Sequence, residues 1–258
     1  MTAAVPRVPQ EIVDEVMDCL ATDPDLRSLQ SCALVSKSWV LSCRRHIFHT
    51  ISFDSWTMTR WLETFPVPEE SPAHLIRNLR FQVEGHNTAP KKFFEHTPRF
   101  TNVEKMTLLG DGELQSLWIP PYWRSPQSVT SLTINADAVF LGQIRGVIAQ
   151  LPNLDDLSLS GHVIVIERRT SLGTGTLPRG RFGGQLRLFE GCVSEDILEI
   201  LMEAPTGVHF TGVQLHVPRE RLLLAVRLAE ACSKTLVKLS YGISYHRKSC
   251  PFSRPSWY

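Results

Sequence analysis

The chain lacks any run of eighteen consecutive apolar residues, so a membrane-spanning helix is not expected. Its start, Met1-Thr2-Ala3-Ala4-Val5-Pro6, leads toward the first helical pattern without the apolar core of a secretory leader. An excess of one charge sign is missing too: Lys and Arg number 27 against 26 Asp and Glu, split 5 to 6 over residues 1–50 and 22 to 20 over 51–258. Neither half is a strong polyanion binder, and a nucleic-acid partner is disfavoured. The six cysteines, at 19, 32, 43, 192, 232 and 250, form no C-x-x-C pair and no zinc-type Cys/His set. Cys43 and His46 are close in sequence, but Arg44 and Arg45 separate them and no second pair completes four ligands. The cysteines read as small buried hydrophobes of a reducing compartment, cytoplasmic or nuclear, and no metal is expected.

Enzymatic signatures are equally thin. Gly173-Thr174-Gly175 and Gly180-Arg181-Phe182-Gly183-Gly184 lack the Gly-Lys-Ser/Thr ending that holds phosphates. With Arg168, Arg169, Arg179 and Arg181 they read as a solvated loop, or more sharply as a contact for an acidic or phosphorylated partner. No G-x-S-x-G elbow accompanies the nine histidines. The adjacent pairs Asp155-Asp156 and Glu69-Glu70 point their side chains apart rather than onto one site. Catalysis and a bound cofactor are therefore not expected.

What is present begins at residue 8. Pro9 suits the first turn of a helix, and Ile12, Val16 and Leu20 recur at four-residue intervals on one face. Thr22-Asp23-Pro24 ends that helix, and Asp25 opens a second on which Leu26, Leu29, Ala33 and Leu34 are expected to face inward. Ser36 reads as the N-cap of a third helix carrying Trp39, Val40 and Cys43. Three helices in about fifty residues close only a marginal core and need a partner. The bland reading is a helical subdomain packed against the rest of the chain.

The ordered set Val8-Pro9, Ile12, Val16, Leu20 and Val35-Ser36…Trp39 resembles an F-box. Val8 stands where Leu is usual, and Lys37 where Arg is common. The resemblance implies that Val8, Pro9, Ile12, Val16, Leu20, Val35, Ser36 and Trp39 face, or brace the face toward, a small Skp-type adaptor, and through it a cullin.

Downstream, an apolar-x-x-apolar-x-apolar phrase recurs. It appears as Ile76-x-x-Leu79-x-Phe81, Val103-x-x-Met106-x-Leu108, Val129-x-x-Leu132-x-Ile134, Leu154-x-x-Leu157-x-Leu159, Phe210-x-x-Val213-x-Leu215 and Leu236-x-x-Leu239-x-Tyr241, with a weaker copy at Leu186-x-Leu188. The central residues 79, 106, 132, 157, 186, 213 and 239 are 27, 26, 25, 29, 27 and 26 apart. Strand-like phrases at a period in the twenties resemble leucine-rich repeats, which predicts an irregular solenoid of short parallel strands and an α/β fold class. The residues three positions beyond each phrase, Glu84, Asp111, Asp137, His162, Gly191, Pro218 and Ser244, include none of the Asn or Cys usual there. The alternative is a mixed α/β domain whose parallel strands happen to be evenly spaced.

The arms between phrases carry helical spacing over 137–150 and 194–203, and 219–233 reads as the longest helix. Ile51 to Phe65 is expected to begin as a strand, continue as a helix and end at Pro66, Pro68 and Pro72. The organisation predicted is therefore an F-box over 1–53, a packed junction over 54–74, repeats over 75–244 and a tail or partial cap over 245–258. Arg80, Thr107, Thr133, Ser158, Arg187, Gln214 and Ser240 should line the wetted strand face. The function implied by the two resemblances is the substrate receptor of a Skp/cullin/F-box ubiquitin ligase, with an unidentified protein target. A non-degradative scaffold and an enzyme on a mixed α/β fold are the alternatives.

Overall fold

The computed structural model describes residues 8–22, 26–84, 93, 96–111, 116–117, 126–164, 182–189, 192–202 and 208–244. Asp25, which the sequence reads as opening the second helix, most of the glycine-rich stretch and the 245–258 tail lie outside them. The described residues form a mixed α/β fold. Three helices come first, α1 (Gln10–Ala21), α2 (Leu26–Val35) and α3 (Lys37–Ile47). They are followed by β1 (Thr50–Phe53), α4 (Ser55–Thr64), β2 (Asn78–Glu84), β3 (Lys105–Asp111), β4 (Ser116–Leu117), β5 (Ser131–Phe140), α5 (Leu141–Ala149) and β6 (Asp156–Ile164). The chain continues through β7 (Gln185–Leu188), α6 (Glu195–Met202), β8 (Gly212–Pro218), α7 (Leu222–Ala231) and β9 (Lys238–Ser244).

The strands make one sheet in the order β1-β2-β3-β5-β6-β7-β8-β9, with β4 beside β5, and every pairing is parallel. Its register aligns the sequence phrases. Leu79, Met106, Leu132, Leu157, Leu186, Val213 and Leu239 are consecutive partners across the sheet. Ile51 of β1 extends the row beside Leu79. Because strand side chains alternate, the residues two positions on share the same face. Phe53, Phe81, Leu108, Ile134, Leu159, Leu188 and Leu215 are accordingly buried in one continuous core with most of the aligned row.

Neighbouring strands begin with the same hydrogen-bond device. The His49 carbonyl accepts from the N–H groups of Arg77 and Asn78, and the carbonyls of Arg77, Glu104, Thr130, Gly184 and Thr211 each take two N–H groups from the next strand's start in the same way. At the longest step the device changes. The Asp155 carbonyl takes the Gly184 N–H, while the Asp156 carboxylate accepts the Gln185 N–H at 2.6 Å. Side chains upstream of the phrases add cross-links: Asn102 Nδ2 donates to the His74 carbonyl, Ser128 Oγ to Val103 and Asn153 Nδ2 to Gln127.

Several local expectations need correction. Residues 137–140 belong to β5, so α5 starts only at Leu141; the Asp137–Phe140 stretch has β4 and β6 to pair with, and a sheet ladder overrides weak helical spacing. The segment 219–233 is a 3₁₀ turn at Arg219–Arg221 followed by a ten-residue α7, shorter than the twelve-residue α1. Phe182, assigned to a solvated loop, is buried against Phe210, their ring centroids 5.5 Å apart. β1 followed by α4 matches the strand-then-helix expectation for 51–65. Asp54 caps α4 by accepting the Thr57 N–H at 2.7 Å, while the Thr57 hydroxyl accepts the Asp54 N–H, a reciprocal capping box.

Candidate docking surface

α1, α2 and α3 enclose a small core of their own. Val13, Met17, Leu29 and Cys43 are its buried members, and Leu20, Cys32, Ala33, Trp39 and Ile47 pack partly buried around them. The face of α1 that builds this core is therefore the Val13/Met17 stripe, one residue round from Ile12 and Val16. Burying Val13, Met17 and Leu29 contributes roughly 1.5–3 kcal/mol each, a small sum against the roughly 1–2 kcal/mol per residue of backbone entropy lost on folding. The unit gains further support at the end of α3. Phe48 packs on the sheet's core, edge-on to Trp61 at 6.5 Å, and the His49 carbonyl is held by Arg77 and Asn78.

Polar contacts fix α1 to α3. Ser42 Oγ donates to Asp14 Oδ1 at 2.6 Å, and Gln10 Nε2 donates to Asp14 Oδ1 at 2.9 Å and to Ser42 Oγ at 3.1 Å. The hydrogen bond from Ser42, then that from Gln10, holds the Asp14 carboxyl below its ordinary pKa. His46 Nε2 lies 3.0 Å from Asp18 Oδ1. Burial raises the Cys43 thiol, whose Sγ lies 3.4 Å from the Met17 sulfur, so this cysteine packs rather than reacts.

The eight residues singled out by sequence divide into two groups. Val8, just before α1, is exposed, as are Ile12 and Val16 on it, and Val35 is 67% exposed at the α2–α3 corner. Pro9 is exposed and sits one residue earlier than expected, as the N-cap of α1, its carbonyl accepting the Val13 N–H. Ser36 is the N-cap of α3, as expected, its side chain accepting the Ser38 N–H at 3.3 Å. Leu20 and Trp39 instead brace the small core from its edge. Leu26 and Leu34, expected inward, are exposed, Leu34 at 89%. Four apolar positions compete for one narrow inward stripe on a ten-residue helix, and Leu29 with Ala33 fills it. Leu41 of α3 is also exposed and was not distinguished by sequence. The three-helix unit thus closes its own core and still presents Val8, Ile12, Val16, Leu34, Val35 and Leu41 to solvent.

The sheet offers a second surface. Arg80, Thr107, Thr133, Ser158, Arg187, Gln214 and Ser240 are successive register partners in one unbroken row, extended by Ser52 of β1. All are partly or fully exposed. Near the β7–β8 end the Phe189 and His216 rings stack at 5.1 Å. Among the described residues no group of three or more His, Cys, Asp or Glu side chains could hold a metal ion, and no helix is long and apolar enough to cross a membrane. Neither a protein-family model nor a curated protein matches the chain.

Proposed function

We propose that the chain is a substrate receptor of a Skp/cullin/F-box ubiquitin ligase: an F-box at the N-terminus followed by a leucine-rich-repeat-like solenoid. The observation that carries this reading is the exposed apolar set Val8, Ile12, Val16, Leu34 and Val35 on a helical unit whose own core is already closed. Leaving large apolar side chains in water is unfavourable, and several of them exposed on one small helical unit mark an interaction site. In this reading an adaptor covers the α1 and α2–α3 faces, Ser36 and Pro9 fix the helix ends that shape them, and Leu20 and Trp39 stiffen them from beneath. The aligned strands support the second half of the reading, since one parallel strand per phrase with neighbours in chain order is how a repeat stack buries its core. The polar row from Ser52 to Ser240 is then the surface offered to a protein target.

The chain co-expressed with a Skp-type adaptor should co-purify with it, and with a cullin when one is supplied. Ile12→Asp with Val35→Asp should abolish the complex while leaving the circular-dichroism spectrum unchanged. Failure of the native chain to bind adaptor would overturn the proposal. Binding without any change in target turnover in cells lacking the protein would favour a scaffold.

A further inference from the structure

The two ends of the sheet differ. β1 is a four-residue edge whose Phe53 is buried under Trp61 and Phe93. β9 is a seven-residue edge with no proline and one charge, Lys238, and beyond it no strand pairs among the described residues. Its core-side residues Leu239, Tyr241 and Ile243 are exposed, Tyr241 at 65%, and Val237, just before the strand, is 86% exposed. Leu239, Tyr241 and Ile243 form one wall of a groove of about 610 Å³ against α7, where Val226 and Ala229 form the other wall and Leu215 the floor. Leu223 of α7 is exposed as well, at 78%. A long apolar edge of this kind associates unless it is paired or covered.

We infer that a second copy of this chain covers it, through antiparallel β9–β9 pairing about a twofold axis at Tyr241. The sequence of β9 is self-complementary in that register. Leu239 faces Ile243 of the other copy, Tyr241 faces itself, Ser240 faces Gly242 and Lys238 faces Ser244, so no like charges meet and apolar residues lie against apolar ones. Six apolar side chains at this end, Leu223, Val226, Val237, Leu239, Tyr241 and Ile243, are between 38% and 86% exposed, and with the paired strand backbones they are the surface set against the roughly 800 Å² each partner gives to a standard interface. Because the contact is isologous and β9 is the one long open edge among the described residues, it closes as a dimer rather than growing into a fibre. It leaves the three-helix unit free, so it goes beyond the adaptor proposal and does not depend on it.

Sedimentation velocity of the full chain over a wide concentration range tests this. A concentration-dependent dimer is expected, lost in Tyr241→Lys and retained in Val35→Asp, with both variants keeping the native circular-dichroism spectrum. Should Tyr241→Lys misfold, Tyr241→Cys provides an independent readout. Directly opposed residues in an antiparallel pair lie within disulfide reach, so mild oxidation should give a 241–241 intermolecular disulfide identifiable by mass spectrometry, while Leu239→Cys should not link to its own copy. A chain that stays monomeric at every concentration overturns the inference, whether residues 245–258 or another protein is then found over the groove. A dimer lost in Val35→Asp but not in Tyr241→Lys overturns it equally.

Discussion

Replacing Gly161 by alanine tests the packing of the central strands. Gly161 has φ +120°, a backbone conformation side chains rarely adopt, and a Cβ built there would lie 1.6 Å from the Ala136 carbonyl oxygen. That is roughly 2 Å short of ordinary non-bonded approach, and the obstacle is backbone, which no rotamer change can move. Ala136 sits where β5 shifts register against β6 between Asn135 and Ala138, so the glycine is what lets β6 run past the irregularity. Forcing a non-glycine residue into positive φ costs about 1–2 kcal/mol, and overpacking typically adds 1–3. The expected loss is thus about 2–5 kcal/mol, a large share of the roughly 5–15 kcal/mol that holds a domain together. Denaturant unfolding followed by circular dichroism should show the midpoint falling with little change in slope. Gly146→Ala is the matched control: it lies in α5 with nothing within 4 Å of the added Cβ, so it should be neutral or stabilising by up to about 1 kcal/mol. A Gly161→Ala loss below about 1 kcal/mol would refute the argument.

Asp54→Ala removes the α4 capping box and should cost about 1 kcal/mol in thermal or denaturant unfolding. The N–H of Thr57, and then its hydroxyl, hold the Asp54 carboxyl below its ordinary pKa. A depressed folded-state value stabilises above the unfolded pKa near about 4 and is lost as pH falls through the folded value, so the difference between native and variant should be flat at neutral pH and shrink in acid. Burial pushes the Cys192 thiol up to about 12, with Sγ 3.2 Å from the Gly161 carbonyl; a maleimide at pH 8 should label exposed Cys19 first and Cys192 only on unfolding, and equal rates would contradict the placement. Asp156→Ala should destabilise by about 0.5–1.5 kcal/mol by removing the acceptor of the Gln185 N–H at the longest repeat step, whereas Asp155→Ala, whose carbonyl remains, should have a smaller effect; comparison of the two unfolding midpoints decides it.

The strand row was legible because paired apolar residues at period two survive in every phrase, even the short Leu186-x-Leu188, and the register joins the same seven centres. β4 was not legible: two residues, Ser116 and Leu117, carry no periodicity, and the strand exists only through pairing with β5. The Asn or Cys that a regular repeat carries three positions beyond each phrase is missing from the sequence; Cys192, one position after Gly191, donates Sγ to the Gly161 carbonyl, Ser160 Oγ reaches the Ile134 carbonyl, and further cross-links lie upstream, at Asn102, Ser128 and Asn153, and in backbone carbonyls that leave no trace in residue identity. In the N-terminal unit, four-residue spacing identified the stripe Ile12, Val16 and Leu20 but not that the adjacent Val13 and Met17 are the buried ones. Hydrophobicity gives a stripe's existence, while which side is covered depends on how three short helices cross.

Binding of a Skp-type adaptor to the outer face of the three-helix unit is measured by titrating purified adaptor into the full chain by calorimetry, native against Ile12→Asp with Val35→Asp. Each substitution would place a charge where an apolar side chain is desolvated, and two together should weaken binding by more than about 100-fold, or about 2.7 kcal/mol, with the unfolding midpoint unchanged. Saturable one-to-one binding by the native chain and its loss in the variant is the predicted result. No binding by the native chain, or equal affinity in both, would contradict it.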